Sequence, residues 1–101
     1  MVKRKIVWSH RAALKLNEIL RFFAERNKSK VYSAKLYRKI TKELELLLKQ
    51  PDLGLKTEID SIRGLIIGDY ILFYQVDKDK IIIHTLWDCK QNPDDLKIRK
   101  M

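Results

Sequence analysis

Side chains that could act as a nucleophile or a general base are few in this chain of 101 residues. His84 stands in an apolar run, where we expect it to share one face of a strand with Ile82 and Leu86. A histidine in that setting is more often packed, with one ring nitrogen hydrogen-bonded, than catalytic. Cys89 follows His84 by five residues, which is too far along a strand for a nucleophile and its base. The residues alone therefore predict little catalytic chemistry.

No motif of a metal or cofactor enzyme stands in the sequence. It contains no glycine-rich phosphate loop, no catalytic pair of acids and no HExxH pattern. One cysteine and two histidines do not form a metal-ligand cluster, and a single cysteine cannot form an internal disulfide. We therefore expect neither a metal nor a cofactor.

Positive charge is the strongest chemical signal in the sequence. The chain has 22 Lys and Arg against 13 Asp and Glu, a formal net charge of +9. Such a charge favours an acidic partner, which could be nucleic acid, an acidic protein or an anionic surface. The alternative is a soluble protein whose positive charge does not serve to bind a partner.

Five basic residues lie next to or within the segment that predicts a β-sheet, residues 62–93. These residues are Lys56, Arg63, Lys90, Lys97 and Arg99. If Tyr70, Tyr74 or Trp87 lay exposed beside them, the cations could contact phosphates while the rings stack on bases. The alternative is that the aromatic residues are core and the charges are ordinary surface. Arg63 stands inside an apolar run and needs a partner there.

The sheet is predicted by residues 62–93, which hold three apolar runs separated at Gly68-Asp69 and at residues 77–79. Short polar breaks between β-branched and aromatic runs are typical of hairpins, so we expect a three-strand antiparallel meander. On its middle strand two sets of side chains alternate, with Tyr70, Leu72, Tyr74 and Val76 opposite to Ile71, Phe73 and Gln75. Both faces are mostly apolar, and we expect both to be largely covered.

The first half of the chain predicts a strand followed by a helical hairpin. Residues 2–8 suit a strand at a sheet edge, and Ser9 suits the N-cap of a helix that ends between residues 25 and 27. A second helix is predicted over residues 31–49 and stopped by Pro51. The apolar stripes are Ala12, Leu16, Ile19, Leu20 and Phe23 in the first helix and Tyr37, Ile40, Leu44, Leu47 and Leu48 in the second.

The remaining segments complete a small α+β domain. Residues 51–56 predict a loop with Gly54 as its hinge, and Asn92-Pro93-Asp94-Asp95 predicts the start of a short C-terminal helix. No apolar run approaches the roughly 18 to 20 residues of a membrane span, and no signal peptide is apparent. We expect one cytoplasmic domain over residues 1–101, without membrane contact. Its sheet would be small and antiparallel, built from the N-terminal strand plus the meander, and packed against the helical hairpin.

Several short motifs keep one order along nearly the whole chain, namely Trp8-Ser9, Ile62-Arg63-Gly64-Leu65, Gly68-Asp69-Tyr70 and Tyr74-Gln75-Val76. In this order and spacing the chain resembles the RelE/ParE superfamily, the growth-arresting toxins of type II toxin-antitoxin modules. The resemblance implies a cognate antitoxin, usually made from the neighbouring gene, that wraps the toxin with an extended or helical segment. A toxin of this positive charge would attract an acidic antitoxin.

The branches of this superfamily act on different targets. RelE-like toxins cleave mRNA in the ribosomal A site, whereas ParE-like toxins poison DNA gyrase. Ile71 stands where RelE-like toxins tend to carry an arginine, and Gln91 and Lys97 align where an arginine and a tyrosine would be expected. An isoleucine cannot neutralise a phosphate. The resemblance and the long helical hairpin together favour inhibition of gyrase.

Two alternatives stay open at the sequence level. A RelE-like endonuclease acting on the ribosome and its mRNA would have to use Arg63, His84 and Lys90. A member without toxicity would only bind its antitoxin. Contacts with a target or with nucleic acid are expected from Lys56, Arg63, Trp87, Lys90, Lys97 and Arg99.

Overall fold

A computed structural model describes residues 4–89 as two helices on one face of a sheet. The elements in chain order are β1 Lys5–Trp8, α1 His10–Arg26, α2 Val31–Lys49, β2 Leu55–Lys56, β3 Ile62–Ile67, β4 Tyr70–Val76 and β5 Lys80–Asp88. The sheet has the strand order β1-β5-β4-β3-β2. None of the described helices is long and apolar enough to cross a membrane. The helix predicted from Asn92 lies outside the described residues.

Both predicted helices are confirmed, and α2 has the predicted bounds. The Ser9 hydroxyl accepts a hydrogen bond from the backbone N–H of Ala12 at 3.1 Å, as an N-cap should. The two helices are also tied together, because the Ser33 hydroxyl donates to the carbonyl of Leu20 at 2.7 Å. The α1–α2 hairpin is therefore fixed by a side-chain hydrogen bond as well as by apolar packing.

The buried face of α2 differs from the predicted one in part. Ile40, Leu44 and Leu47 are buried as predicted, but Tyr37 and Leu48 remain 48% and 39% exposed. With about 3.6 residues per turn, both side chains fall at the margin of the stripe centred on Ile40 and Leu44. Ser33 and Leu36 complete the buried face instead.

The sheet is mixed, so the prediction of an antiparallel sheet was wrong for its first strand. β3, β4 and β5 form the expected antiparallel meander, but β1 pairs with β5 in parallel, from Lys5 opposite Lys80 to Trp8 opposite Ile83. The physical reason is the connection between these strands. Two helices and three strands lie between β1 and β5 in the element order, so the pair is not joined by a hairpin turn and can be parallel.

A short strand also replaces part of the predicted loop before the meander. β2 pairs antiparallel with β3, with Leu55 opposite Gly64 and Lys56 opposite Arg63. Both of its residues are exposed. A strand of two residues has too few positions to show an alternating pattern, so only its pairing with β3 defines it.

The core lies between the helices and one face of the sheet. Its most buried members include Ala12, Leu47, Leu72, Tyr74, Ile81 and Ile83, each at 0% exposure. The opposite face carries a smaller cluster in which Ile59, Ile71 and Trp87 pack on Ile62 and Phe73. We call this second face the open face, since both described helices pack on the other side. On this face Ile62 and Phe73 are nevertheless buried, and no residue of β4 is exposed, so the expectation that both faces are largely covered is confirmed for the middle strand.

Candidate functional site

A β-bulge in β5 decides where the candidate histidine points. The register steps from Phe73 opposite Thr85 to Tyr74 opposite Ile83, which leaves His84 as the extra residue of the bulge. An extra residue shifts the alternation of faces by one. Ile83 and Leu86 consequently both join the core under the helices, and the prediction that His84 shares a face with Leu86 was wrong.

His84 is half-buried and paired with one side chain. Its Nε2 lies 3.0 Å from Oε1 of Gln75, on the open face. Burial lowers the pKa of His84 below its ordinary value of 6.5, because a charged imidazolium loses hydration there. At neutral pH the ring is uncharged, which fits a packed, hydrogen-bonded histidine.

Arg63 has the partner that its apolar surroundings require, and that partner is the segment before β2. Its Nη1 donates to the carbonyl of Gly54 at 2.8 Å, and its Nη2 lies 3.7 Å from the Asp52 carboxylate. Beside it, the Tyr74 hydroxyl accepts from the N–H of Gly54 and donates to the carbonyl of Pro51, both at 2.8 Å. Arg63 and Tyr74 together fasten residues 51–54 to the sheet.

The two tyrosines of β4 are poor candidates for proton transfer. Burial, aided by the charge of Asp88, raises the pKa of Tyr70 to about 12. Burial also raises the pKa of Tyr74, although the Gly54 N–H and the Arg63 guanidinium oppose this shift. With exposures of 6% and 0%, neither ring can stack on a base, so both are core residues.

The sheet itself separates the described residues that the sequence suggested for catalysis. Arg63 lies opposite Tyr74, on the side of the helices, whereas His84 contacts Gln75 on the open face. Side chains on opposite faces of a sheet cannot reach the same reacting atom. The third residue, Lys90, lies outside the described residues, as do Lys97 and Arg99.

The other predicted contact residues lie on or beside the open face. Trp87 is half-buried, opposite Ile71 and packed in the small apolar cluster. Lys56 is exposed and borders a cavity of about 490 Å³ whose floor is formed by Ile66, Ile71 and Phe73. The cavity therefore has an apolar floor and a charged residue at its border, an arrangement suited to binding rather than to catalysis.

The helical hairpin carries a surface that the stripe patterns did not reveal. Residues 10–49 contain eleven Lys and Arg but only four Glu. Phe22 is 55% exposed, with the Arg26 guanidinium 6.0 Å from its ring centre. The Phe23 and Tyr32 rings lie 4.7 Å apart across the hairpin. The signal in the sequence was Phe22, a large aromatic residue that lies outside the predicted apolar stripe of α1.

No group of three or more metal-binding side chains occurs within residues 4–89. The described part of the molecule thus offers a basic helical hairpin on one side and an open apolar sheet face on the other.

The chain is similar in fold to solved toxin structures. A chain of the chromosomal ParDE TA system from P. aeruginosa matches with a TM-score of 0.72 and 16% identity, over 87% of this chain and 98% of that chain. The YoeB dimer from Staphylococcus aureus gives a TM-score of 0.58 and 21% identity, over 85% and 97%. The E. coli DinJ-YafQ toxin-antitoxin complex gives a TM-score of 0.56 and 14% identity, over 86% and 93%.

Sequence comparison identifies the family. Among curated protein sequences, none matches the chain significantly. The family model described as ParE toxin of type II toxin-antitoxin system, parDE, matches residues 6–93. This span includes all seven described elements except the first residue of β1. The chain therefore belongs to the ParE toxin family, within the RelE/ParE superfamily of type II toxins.

Proposed function

We propose that this toxin arrests growth by binding DNA gyrase rather than by cleaving RNA. One observation carries the choice of target. Arg63 and His84 lie on opposite faces of the sheet, and the guanidinium of Arg63 is engaged by Gly54 and Asp52. A nuclease needs its phosphate-binding cation and its proton-transfer group around one phosphate. The match to the ParE family supports the same target.

The proposal includes neutralisation by an acidic antitoxin. The net charge of +9, with most of the excess on the helical hairpin, would speed encounter with an acidic protein and favour it over basic ones. The likeness to a chain of a ParDE system and to a chain of the DinJ-YafQ complex supports such a partner.

Induced expression of the chain in a bacterial host tests the target. Incorporation of labelled thymidine and labelled amino acids is followed over the first minutes. We expect DNA synthesis to stop first, with an SOS response and intact translation. Protein synthesis stopping first would contradict the proposal and indicate mRNA cleavage. If neither stops, the chain acts only as an antitoxin-binding member.

A matched variant separates the two mechanisms at the residue level. His84→Gln keeps a side chain that can hydrogen-bond to Gln75 but removes the titratable ring. We expect its toxicity, and its inhibition of supercoiling by purified gyrase, to equal those of the unchanged chain. A loss of toxicity by about a hundredfold, the usual cost of a missing general acid or base, would instead favour a nuclease. Retained folding is checked by circular dichroism.

A further inference from the structure

The positive charge of the chain is concentrated on the helical hairpin. Residues 10–49 carry eleven Lys and Arg against four Glu, whereas the other residues between 4 and 89 carry six Lys and Arg against seven Asp and Glu. The sheet and its described loops are therefore close to neutral, and the electrostatic field that attracts anions originates from the two helices.

Four cations form a row along the outward side of α2. Buried Ile40 and Leu44 mark the side of this helix that packs on the sheet. Since an α-helix turns about 100° per residue, four side chains between residues 35 and 49 point in the opposite direction, within an arc of about 60°. All four are exposed, and they are Lys35, Arg38, Lys42 and Lys49. We call these four residues the α2 row.

The α2 row has no partner within residues 4–89. None of its four side chains forms a hydrogen bond or an ion pair there. Lys35 and Lys49 are 14 positions apart, which corresponds to about 21 Å along the helix axis. One acid, Glu45, flanks the row on one side, and a further cation, Lys39, flanks it on the other. A line of unpaired cations of this length suits the line of phosphates along a strand of nucleic acid.

The composition of this face favours a nucleic acid over a protein partner. Protein interfaces are centred on aromatic and apolar anchors, and lysine is depleted in them. Three members of the α2 row are lysines and none is apolar, and lysine is a common phosphate contact.

The position of the exposed aromatic rings favours a duplex over a single strand. Base stacking of a single strand would need exposed rings among the cations. Tyr32 and Tyr37 are the exposed aromatic residues of α2, but they point about 90° and about 130° away from the α2 row. The outward face of α2 therefore fits the backbone of a duplex.

We propose that the α2 row binds the phosphate backbone of double-stranded DNA without reading its sequence. Each cation would contact one phosphate and release a counterion from the DNA. Because lysine ammonium groups contact phosphates as point charges, affinity should not depend on the bases. Such binding goes beyond the proposed function, since it requires neither gyrase nor an antitoxin. On DNA already held by gyrase it would add a second point of attachment for the toxin.

Fluorescence anisotropy with the full chain measures this binding directly. A labelled duplex of about 20 base pairs is titrated between about 50 and 200 mM salt. Four phosphate contacts should give a plot of log K against log salt concentration with a slope of about −3.6. A second duplex of unrelated sequence should bind with the same affinity, within about twofold.

A triple variant places the contact on α2. It combines Lys35→Gln, Arg38→Gln and Lys42→Gln. Because each substitution removes one phosphate contact, we expect the slope of the salt plot to become less steep by about 2.7. The affinity at the lowest salt concentration should fall at least about tenfold.

A second triple variant is the matched control, because it loses the same charge from the sheet side of the molecule. It combines Lys5→Gln, Lys78→Gln and Lys80→Gln, in β1, in the turn before β5 and at the start of β5. We expect its slope to stay within about 0.5 of that of the unchanged chain. Circular dichroism confirms that both triple variants fold.

Three results would overturn DNA binding by the α2 row. Equal losses in the two triple variants would show that binding follows net charge alone. Tighter binding of a single strand of the same length, DNA or RNA, would show that the duplex backbone is not the ligand. Absence of binding at the lowest salt concentration would reject the contact outright.

Inhibition of supercoiling by purified gyrase tests the proposed function separately. A chain that inhibits gyrase without binding the duplex rejects DNA binding and leaves the gyrase target standing. A chain that binds the duplex through the α2 row without inhibiting gyrase supports DNA binding and rejects the gyrase target.

Discussion

Tyr74 shows how one buried side chain orders a segment that has little core of its own. Its ring is fully buried, and its hydroxyl both accepts and donates a hydrogen bond within residues 51–54. Gly54 must be a glycine here, since a Cβ at that position would lie 2.6 Å from the hydroxyl oxygen. Tyr74 therefore has a structural role, and its hydroxyl is engaged in two hydrogen bonds rather than available to a substrate.

Replacing Tyr74 by phenylalanine tests this role. The change leaves the N–H of Gly54 and the carbonyl of Pro51 without their partner, and a buried polar group left unpaired costs about 1–3 kcal/mol. We expect urea denaturation to show a loss of this size. Tyr37→Phe is the control, because that side chain is 48% exposed and its loss should stay within about 0.5 kcal/mol. Equal losses in both variants would contradict the account.

Because His84 is half-buried, we expect the free energy of unfolding to depend on pH. Burial lowers its pKa in the folded protein below the ordinary 6.5, so the unfolded chain takes up the proton first as the pH falls. The contribution of neutral His84 is complete above pH 6.5 and is lost as the pH drops through the lower folded pKa. We expect His84→Gln to remove this part of the acid destabilisation. An NMR titration midpoint for His84 above 6.5 would contradict the prediction.

At the scale of the elements, Ser9 joins a strand, a helix and the bulge. Besides capping α1, its hydroxyl donates to the carbonyl of His84 at 3.0 Å, and its N–H donates to the carbonyl of Ile83 at 3.0 Å. The start of α1 is thus fixed against β5. The sequence predicted the cap, but not the two bonds across the sheet.

Ser9→Ala should cost more than an ordinary N-cap replacement. Loss of a cap costs about 1 kcal/mol, and loss of the bond to the carbonyl of His84 adds to it, so we expect about 1–2 kcal/mol in chemical denaturation. Ser61→Ala, at an exposed site, is the control and should change stability by less than about 0.5 kcal/mol. A cost for Ser9→Ala no greater than that of the control would reject the linkage.

At the scale of the whole molecule, the main apolar core lies on one side of the sheet, between the sheet and the helices. Ile83 is fully buried under the helices, whereas Ile66 of β3 is 56% exposed. We expect Ile83→Ala to cost about 2–5 kcal/mol, because it leaves a cavity in the core. Ile66→Ala should cost less than about 1 kcal/mol in stability. Thermal or urea unfolding measures both, and similar costs would contradict the division.

The sequence by itself determined much of the helical half. Ser9, the spacing of Leu16 and Ile40, and the stop at Pro51 are local signals, because a helix closes its hydrogen bonds within four residues. The hairpin turns of the meander are local in the same sense. The positive charge and the motif order also needed no coordinates, and they led to the toxin family.

Only the tertiary structure decided how the sheet is completed and where its candidate residues face. The parallel pairing of β1 with β5 joins residues 75 positions apart, and no local pattern encodes such a partner. The bulge at His84 is fixed by the register against β4, so its effect on the alternation cannot be counted along the chain. The engagement of Arg63 by residues 52–54 depends on loop closure. Pairing between distant residues is set by packing, which is why these features emerge only in the fold.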